Sequence, residues 1–518
     1  MLAAHAVNVI CGCDHHGTPP KAETTVIAPS AKSPDDPEFE QIRLFCGNCH
    51  AFPQPASFPK SMWYDEVRRG FNFYYDSGRS DLKPPAQASV TEYFRQFAPE
   101  KLLMPEQTES SSSAVSFRTT DLSLPKFAVP GEVGISFVDL RPNAEHGMTD
   151  LWLSDMQSGM AVQLADVGQY ANSEGTKVDG HVRLQFANVT SNPAATRQAD
   201  LDGNGIDDLL LADLGSYLPG DHDRGKVVWI PDGVSAAPRP AVTIMDHIGR
   251  VAEVQVGDFD GDGRSDVVVG EFGWHKTGSL RILLNHIGTN GEMTFDAIQL
   301  DHRPGTIHVI PTDVNQDGRL DLMALISQEH EKIIAFVNMP DGFQKVSVYD
   351  APDPAWGSSG IFLTDFDQDG DADVLYTNGD SFDSHMIKPY HGVWWLENQG
   401  SMPFTAHHLA AMPGVHRAIP ADVDSDGDLD VVVAAMLPVD ALRGQDVDRL
   451  HAIVWLERSS TGDFVRHVIE HGRPNYAAIA VGDLNQDDRP DIVAGIFLGD
   501  DPQSAAVAKI YWNQKSHP

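Results

Sequence analysis

The stretch "DFDGDGRSD", Asp258 to Asp266, runs straight into the apolar "VVVG", Val267 to Gly270. Aspartates at positions 1, 3 and 5 place carboxylates on alternate residues of a tight loop, where they converge. Gly263 at position 6 permits the sharp turn, and the carbonyl at position 7 can add another oxygen. Asp266 follows at position 9. Hard oxygen ligands at this spacing suit Ca²⁺. The rival reading, an EF-hand, needs Glu at position 12 and flanking helices. Position 12 here is Val269, inside a β-type run.

The pattern occurs six times, starting at Asp200, Asp258, Asp313, Asp365, Asp422 and Asp483, in steps of 58, 55, 52, 57 and 61 residues. Position 12 is never acidic: Leu211, Val269, Ala324, Tyr376, Val433, Ala494. The candidate ligands are Asp200, Asp202, Asn204 and Asp208; Asp258, Asp260, Asp262 and Asp266; Asp313, Asn315, Asp317 and Asp321. The later loops add Asp365, Asp367, Asp369 and Asp373; Asp422, Asp424, Asp426 and Asp430; Asp483, Asn485, Asp487 and Asp491. The last loop departs from the pattern, with Asp488 in place of glycine. Convergent carboxylates without a cation repel strongly, which favours calcium over six bare Asp-Gly turns.

Each period carries four strand-like runs, such as "VAEVQVGD", "SDVVVGEF", "LRILLNH" and "MTFDAIQL". Four strands per fixed period read as a propeller blade. The last unit stops one strand short after "AKIYWNQ". A spare strand, Phe117 to Pro125, precedes the array. A further unit, Gly131 to Ser191, has "SFVDLRPNAEHGMTD" where the acidic loop should be, keeping Asp139 and Asp150. The expectation is a mostly β chain, with a seven-bladed propeller over 117–518 whose spare strand completes the last blade and removes the open edges. Tryptophans in third-strand runs such as "VVWIPDG" and "IVWLERSS" are expected to pack blades.

These repeats resemble the FG-GAP/VCBS family, the calcium-loop propellers of integrin α chains and of many exported bacterial proteins. The resemblance implies the fold and the calcium. It does not imply a task, because such propellers serve adhesion, scaffolding and some enzymes.

The whole chain has 518 residues, with 41% hydrophobic and 21% charged, and a net charge of -37. That charge argues against nucleic acid and anionic membrane surfaces as partners. No apolar run is long enough for a transmembrane helix. The four cysteines are Cys11, Cys13, Cys46 and Cys49, so most of the chain has no disulfide scaffold. Residues 1–36 read as a signal or lipoprotein-like segment and a Pro-, Ala- and Ser-rich tether. "ICGC", Ile10 to Cys13, resembles a lipoprotein signal with Cys13 as the lipid anchor, although no Lys or Arg precedes the apolar run. Residues 108–116, "TESSSSAVS", read as a linker.

Residues 37–107 carry helical signals. Asp36-Pro37 offers an N-cap and a first-turn proline; Phe39, Ile42 and Phe45 share one face. Trp63, Val67 and Phe71 share another. "SVTE", Ser89 to Glu92, reads as a capping box opening a third helix, which Pro99 ends. Three short helices need a staple or a prosthetic group to form a core.

This segment holds "LFCGNCHAFP", Leu44 to Pro53. Cys-x-x-Cys-His can attach c-type haem through both thiols, with His50 on iron. A thioredoxin-like redox pair needs a βαβ context, which is missing. A structural zinc site would lack its fourth ligand. The segment resembles a small cytochrome c domain of the kind fused to exported bacterial repeat proteins, which implies haem c held by Cys46, Cys49 and His50. For the sixth position, Met104 is a candidate, Met62 lies closer in sequence, and five-coordinate iron is the third option.

The leading expectation is an exported protein, periplasmic or at a bacterial cell surface. Its haem head transfers electrons, and its calcium propeller docks a redox partner protein or a cell-surface protein or glycan. One alternative is a haem-coupled oxidoreductase with substrate in the propeller funnel, lined by Arg250, His308, His416, Arg417 and Tyr476; convergence of these five would favour it. The other is an adhesion or scaffold protein. Whether the chain is an enzyme is left open; no nucleophilic triad, Walker loop or dinucleotide fingerprint is present.

Overall fold

The computed structural model describes residues 37–105, 113, 115–124, 133–142, 149–173, 177–235, 237–289, 291–497 and 506–515. Residues 1–36 with Cys11 and Cys13, most of the 108–116 linker, and residues 143–148 of the degenerate loop lie outside these.

Seven antiparallel sheets form a seven-bladed propeller. Short Val-, Ile- and Leu-rich runs between Gly- and Asp-rich turns favour half- and fully buried strands over helices. The innermost strands, blade 1 to blade 7, are Ile135–Pro142, Pro193–Ala199, Val251–Gly257, Thr306–Thr312, Ser358–Thr364, Val415–Ala421 and Tyr476–Gly482. Each packs against its neighbours in the ring. The second strands are buried along their length: all six residues of Asp266–Glu271, Asp321–Ile326 and Asp430–Ala435 are buried. They form the inter-blade core, because both sheet faces meet a neighbour.

Val115–Ser123 pairs antiparallel with Ala506–Lys515, in register from Val115↔Lys515 through Thr119↔Tyr511. It supplies the outer strand of blade 7 and closes the ring, as the spare strand was expected to do. A short strand, Lys177–Asp179, then adds to it in parallel as a fifth. Trp512 Nε1 donates to Thr120 Oγ1 across the seam at 2.9 Å.

The three helices are α1 (Pro37–Cys46), α2 (Trp63–Asp76) and α3 (Gln87–Phe97). The expected capping box is corrected. α3 starts at Gln87, after an extended Ala86 without a side-chain cap, so "SVTE" lies inside the helix. Its end is as expected: Ala98, before Pro99, is extended with ψ 144.

The expectation that this head lacks a core is also corrected. Ile42, Phe58, Trp63, Val67, Phe71, Val90 and Phe94 are buried together. Trp63 and Phe94 stack at 4.1 Å, and Phe52 lies 5.7 Å from Phe94. Aromatic side chains bury enough area per residue to give so small a unit a core. The propeller completes it, with Ala355 and Met386 packed against the cluster.

Candidate functional site

All six acidic loops join the first strand of a blade to the second. Along an antiparallel meander these turns share one face, while second-to-third turns and blade-to-blade connections share the other. Among the described residues the head touches this second set: Asp353, Ala355, Met386, Lys388 and Tyr390 beside blade 5, and His275 of blade 3. The acidic loops and the head therefore sit on opposite faces.

In each loop, position 1 organises the turn. Asp258 Oδ1 accepts from the Gly261 and Asp262 N–H groups, and Oδ2 from Gly263 N–H at 2.9 Å. Positions 4 and 6 are left-handed throughout: Gly261 and Gly263 at φ 77° and 85°, Gln368 and Gly370 at 64° and 100°. Asp488, the exception in sequence, adopts φ 62° and donates the same N–H bond to Asp483. Aspartate tolerates this region, so the turn survives without glycine.

Ligand oxygens of four triplets lie within 4.8 Å of one another: Asp200, Asp202 and Asp208; Asp258, Asp260 and Asp262; Asp365, Asp367 and Asp369; Asp422, Asp424 and Asp430. In the loops at Asp313 and Asp483, position 3 is Asn315 or Asn485, which each accept an N–H from position 5. Asn204 Oδ1 accepts Ile206 N–H and its Nδ2 reaches Asp232. Arg264, Arg319 and Arg489 at position 7 pair with Asp262, Asp317 and Asp487. In the loops at Asp365 and Asp422, position 7 is an acid, Asp371 or Asp428. Burial, together with Asp369, Asp373 and Asp367, pushes Asp371 up to about 6.

Position 9 has a second duty that spacing alone does not show. Asp266 is fully buried; Oδ2 accepts Phe259 N–H and Oδ1 accepts Asn285 N–H at 2.8 Å. Asp208, Asp321, Asp373 and Asp491 pin their loops to the third strand in the same way. Burial raises all of these acids, and takes Asp430 and Asp491 to about 7.

Sequence reasoning also missed the coupling between blades. Asn285 Nδ2 donates to Leu201 O in the loop of the preceding blade at 2.8 Å. Asn338 does the same to Phe259 O, Asn513 to Val423 O, and Arg458 to Phe366 O. A polar residue recurring near the end of the third strand was the available signal.

In the head, Cys46 ends α1 and is half-buried, while Cys49 is exposed; both are free thiols. Burial pushes Cys46 up to about 12. Arg79 Nη1 donates to Cys49 Sγ at 2.9 Å while pairing with Asp81. His50 Nδ1 meets its neighbouring carbonyl, Ala51 O, at 2.7 Å. That bond fixes the proton on Nδ1 and leaves Nε2 as the ligand atom. The donor set of two free thiols and an open imidazole nitrogen fits a c-type haem. Met104 lies beyond α3, 42% exposed, and Met62 packs on the head core.

Of the five axial candidates, His308, His416 and Arg417 come together, while Arg250 and Tyr476 stand apart. Arg417 Nη1, from blade 6, donates to His308 Nδ1 of blade 4 at 3.0 Å, passing over blade 5. Blade 5 has Gly360 at the equivalent register position; a Cβ there would lie 3.2 Å from Arg417 Nη1. Arg197 of blade 2 pairs with buried Glu253 of blade 3 at 2.9 Å. The two pairs, one ionic and one between a guanidinium and an imidazole, form a polar plug at the axis. Burial and the Arg417 charge hold His308 well below its ordinary value and take His416 down to about 3. Arg250 stands apart, at the head-facing end of blade 3. Tyr476 belongs to a separate network with Glu470 and Tyr511.

Residues 258–324 and 313–376 match the FG-GAP-like repeat. The chain carries FG-GAP-like repeats. No curated protein matches the chain. Among solved structures it is similar to the N-terminal domain of Nup159, at 11% identity and TM-score 0.43, over 80% of this chain and 100% of that one. It is also similar to the Dos1 propeller, at 9% and 0.43, over 75% and 83%. A third is the Pseudomonas aeruginosa periplasmic gluconolactonase PpgL, at 12% and 0.42, over 65% and 86%.

Proposed function

We propose that this protein is an exported electron-transfer protein, with a haem c head seated on a calcium-bound FG-GAP-like propeller. The observation that carries the reading is the donor set on one short turn: free Cys46 and Cys49, and His50 with Nδ1 engaged by Ala51 O. The head already has an aromatic core, so the case for haem rests on these donors and not on a need for filling. A c-type haem supplies reversible one-electron chemistry.

The chain's own residues do the rest. Cys46 and Cys49 would hold the group covalently and His50 would offer Nε2 to its iron, with Met104 a further candidate ligand. Asp353 fixes the head by accepting from Gln54 N–H and Ser57 Oγ. Calcium in the acidic loops offsets carboxylate repulsion and stiffens the face opposite the head. That leaves the acidic-loop face free to dock a redox partner protein, or a cell-surface protein or glycan. Calcium loops and haem attachment both suit an exported location, periplasmic or cell-surface, with Cys13 as a lipid anchor. The axial plug weakens the reading of an open substrate funnel, because Arg417–His308 and Arg197–Glu253 occupy the axis.

The test is expression with c-type maturation proteins, then a pyridine haemochrome spectrum and haem stain of the denatured protein. Wild type should show a thioether-type band and covalent stain, and Cys49→Ala should lose most of it. Wild-type protein without covalent haem would overturn the reading.

A further inference from the structure

Arg250 is 7% exposed, yet among the described residues no carboxylate pairs with it and its buried Nε has no hydrogen-bond partner. Buried arginines are otherwise paired, since an uncompensated guanidinium in a poorly solvated place is costly. Its one described side-chain contact of note is the face of Phe272, 5.8 Å away. Burial lowers it to about 10, with no acid acting in the other direction. The position is also unusual. The residue just before the innermost strand is glycine in blades 1, 4, 5 and 6 and asparagine in blades 2 and 7. Only blade 3 places a cation there.

The surroundings are aromatic. Tyr217 of blade 2 stacks on Phe497 of blade 7 with centroids 6.4 Å apart, and Phe497 meets Phe382 of blade 5 at 6.5 Å. These blades are not neighbours, so the three side chains meet across the axis, at the head-facing mouth of the propeller. The Tyr217 loop lies beside Arg250. His222, six residues from Ser216 and bonded to its Oγ at 2.7 Å, is lowered by burial and by the charges of Arg224 and Arg250.

We propose that the head-facing mouth of the propeller is a binding site for a small organic carboxylate, with Arg250 receiving the carboxylate and the Tyr217–Phe497–Phe382 group covering its apolar part. A guanidinium offers paired N–H donors in the geometry of a carboxylate. Aromatic walls around one fixed charge are the usual make-up of a small-ligand site. A chain of net charge -37 repels anions at long range, so an unpaired cation at this mouth gives a local exception. The site is independent of haem: it requires neither Cys46 nor Cys49.

The test uses the full chain and benzoate as probe, with inorganic phosphate and benzyl alcohol beside it, read by calorimetry and thermal melting. Benzoate should bind and raise Tm, phosphate should bind more weakly, and benzyl alcohol should do neither. Arg250→Leu should weaken benzoate at least about tenfold, the scale of a lost charge-assisted pair. The same variant should melt higher than wild type without ligand, because it removes an uncompensated buried charge. Phe497→Ala should weaken benzoate and leave phosphate unchanged. The proposal is overturned if benzoate does not bind, if it binds Arg250→Leu as tightly as wild type, or if Arg250→Leu lowers the ligand-free Tm. A variant lacking covalent haem, Cys49→Ala, should keep benzoate binding, so failure of the haem reading and of this one are separable.

Discussion

Ser57 of the helical head donates its hydroxyl to Asp353 of the propeller at 2.7 Å, across 296 residues of sequence. Asp353 is 1% exposed and accepts on both oxygens, from Gln54 N–H and Ser57 Oγ on one and from Ala355 N–H on the other. One carboxylate thus holds the head's 54–57 turn and shapes the propeller connection beneath it. Tyr390 adds a bond to Ser57 O, and Lys388 lies over Phe58.

Asp353→Ala should release the head without unfolding the propeller. It leaves three donors unpaired, of which the buried Ser57 hydroxyl alone should cost about 1–3 kcal/mol. Hydrogen exchange over residues 54–58 should accelerate strongly, while exchange in the second strands of the blades stays slow. Unchanged protection in the 54–58 turn would refute the latch.

Glu331 should give the fold a pH dependence of defined sign. It is 4% exposed, and burial pushes it up to about 8, against the help of Ser358 and Lys388. Tyr349, Tyr376 and Tyr390 are its other titratable neighbours. The native state keeps a proton that the unfolded chain, with an ordinary carboxyl value of 4.5, gives up. This contribution is full below pH 4.5 and is lost as pH rises through 8. Thermal melts from pH 5 to 8.5 should therefore decline less in Glu331→Gln than in wild type, with the variant more stable at pH 8.5.

Positions 9 and 3 of the same loop should separate in chelator. Asp266→Asn places an amide N–H₂ against the Phe259 or Asn285 N–H, and should cost about 1–3 kcal/mol with or without calcium. Asp260→Asn should cost stability in calcium only, because an amide oxygen can still accept Asp262 N–H, as Asn315 and Asn485 do in their loops, and only the charge offered to the ion is lost. Paired melts in Ca²⁺ and EDTA check this.

The loops should differ in what calcium does for them. Where Arg264, Arg319 and Arg489 offset position 5, Asp371 adds to the repulsion. Asp371→Arg should raise Tm in EDTA and shrink the rise that calcium gives. An equal calcium effect in variant and wild type would show that this loop does not bind the ion.

The blade count and the closing strand were legible because the acidic loop repeats at a fixed step and the chain ends one strand short. The left-handed turn at Asp488 was legible only as a doubt: glycine is preferred there, but aspartate also reaches that conformation. The head's core was misjudged because Phe52, Phe58, Trp63 and Phe94 are spread over forty-odd positions with no single period, so their stacking appears only in three dimensions. Position 9 read as a ligand, yet its carboxylate also ties the loop to the third strand, a bond made to backbone that no side-chain pattern encodes. The axial pairs are opaque for a similar reason: Arg417 reaches His308 only because Gly360, in the intervening blade, has no side chain.

The seam between Val115–Ser123 and Ala506–Lys515 sets an order of events during synthesis. Thr120 leaves the ribosome 392 residues before Trp512, its partner across the seam. At ribosomal speeds of about 5–20 residues per second, that is a wait of roughly 20–80 s. Through that interval the edge of Val115–Ser123 that will face Ala506–Lys515 has no partner, and the blades form an open arc. The helical head, made earlier still, meets its seat at Asp353 while the arc is incomplete. Docking can therefore precede closure, and a nascent chain that has exposed residues 353–390 but not yet residue 506 could seat its head on an unclosed ring.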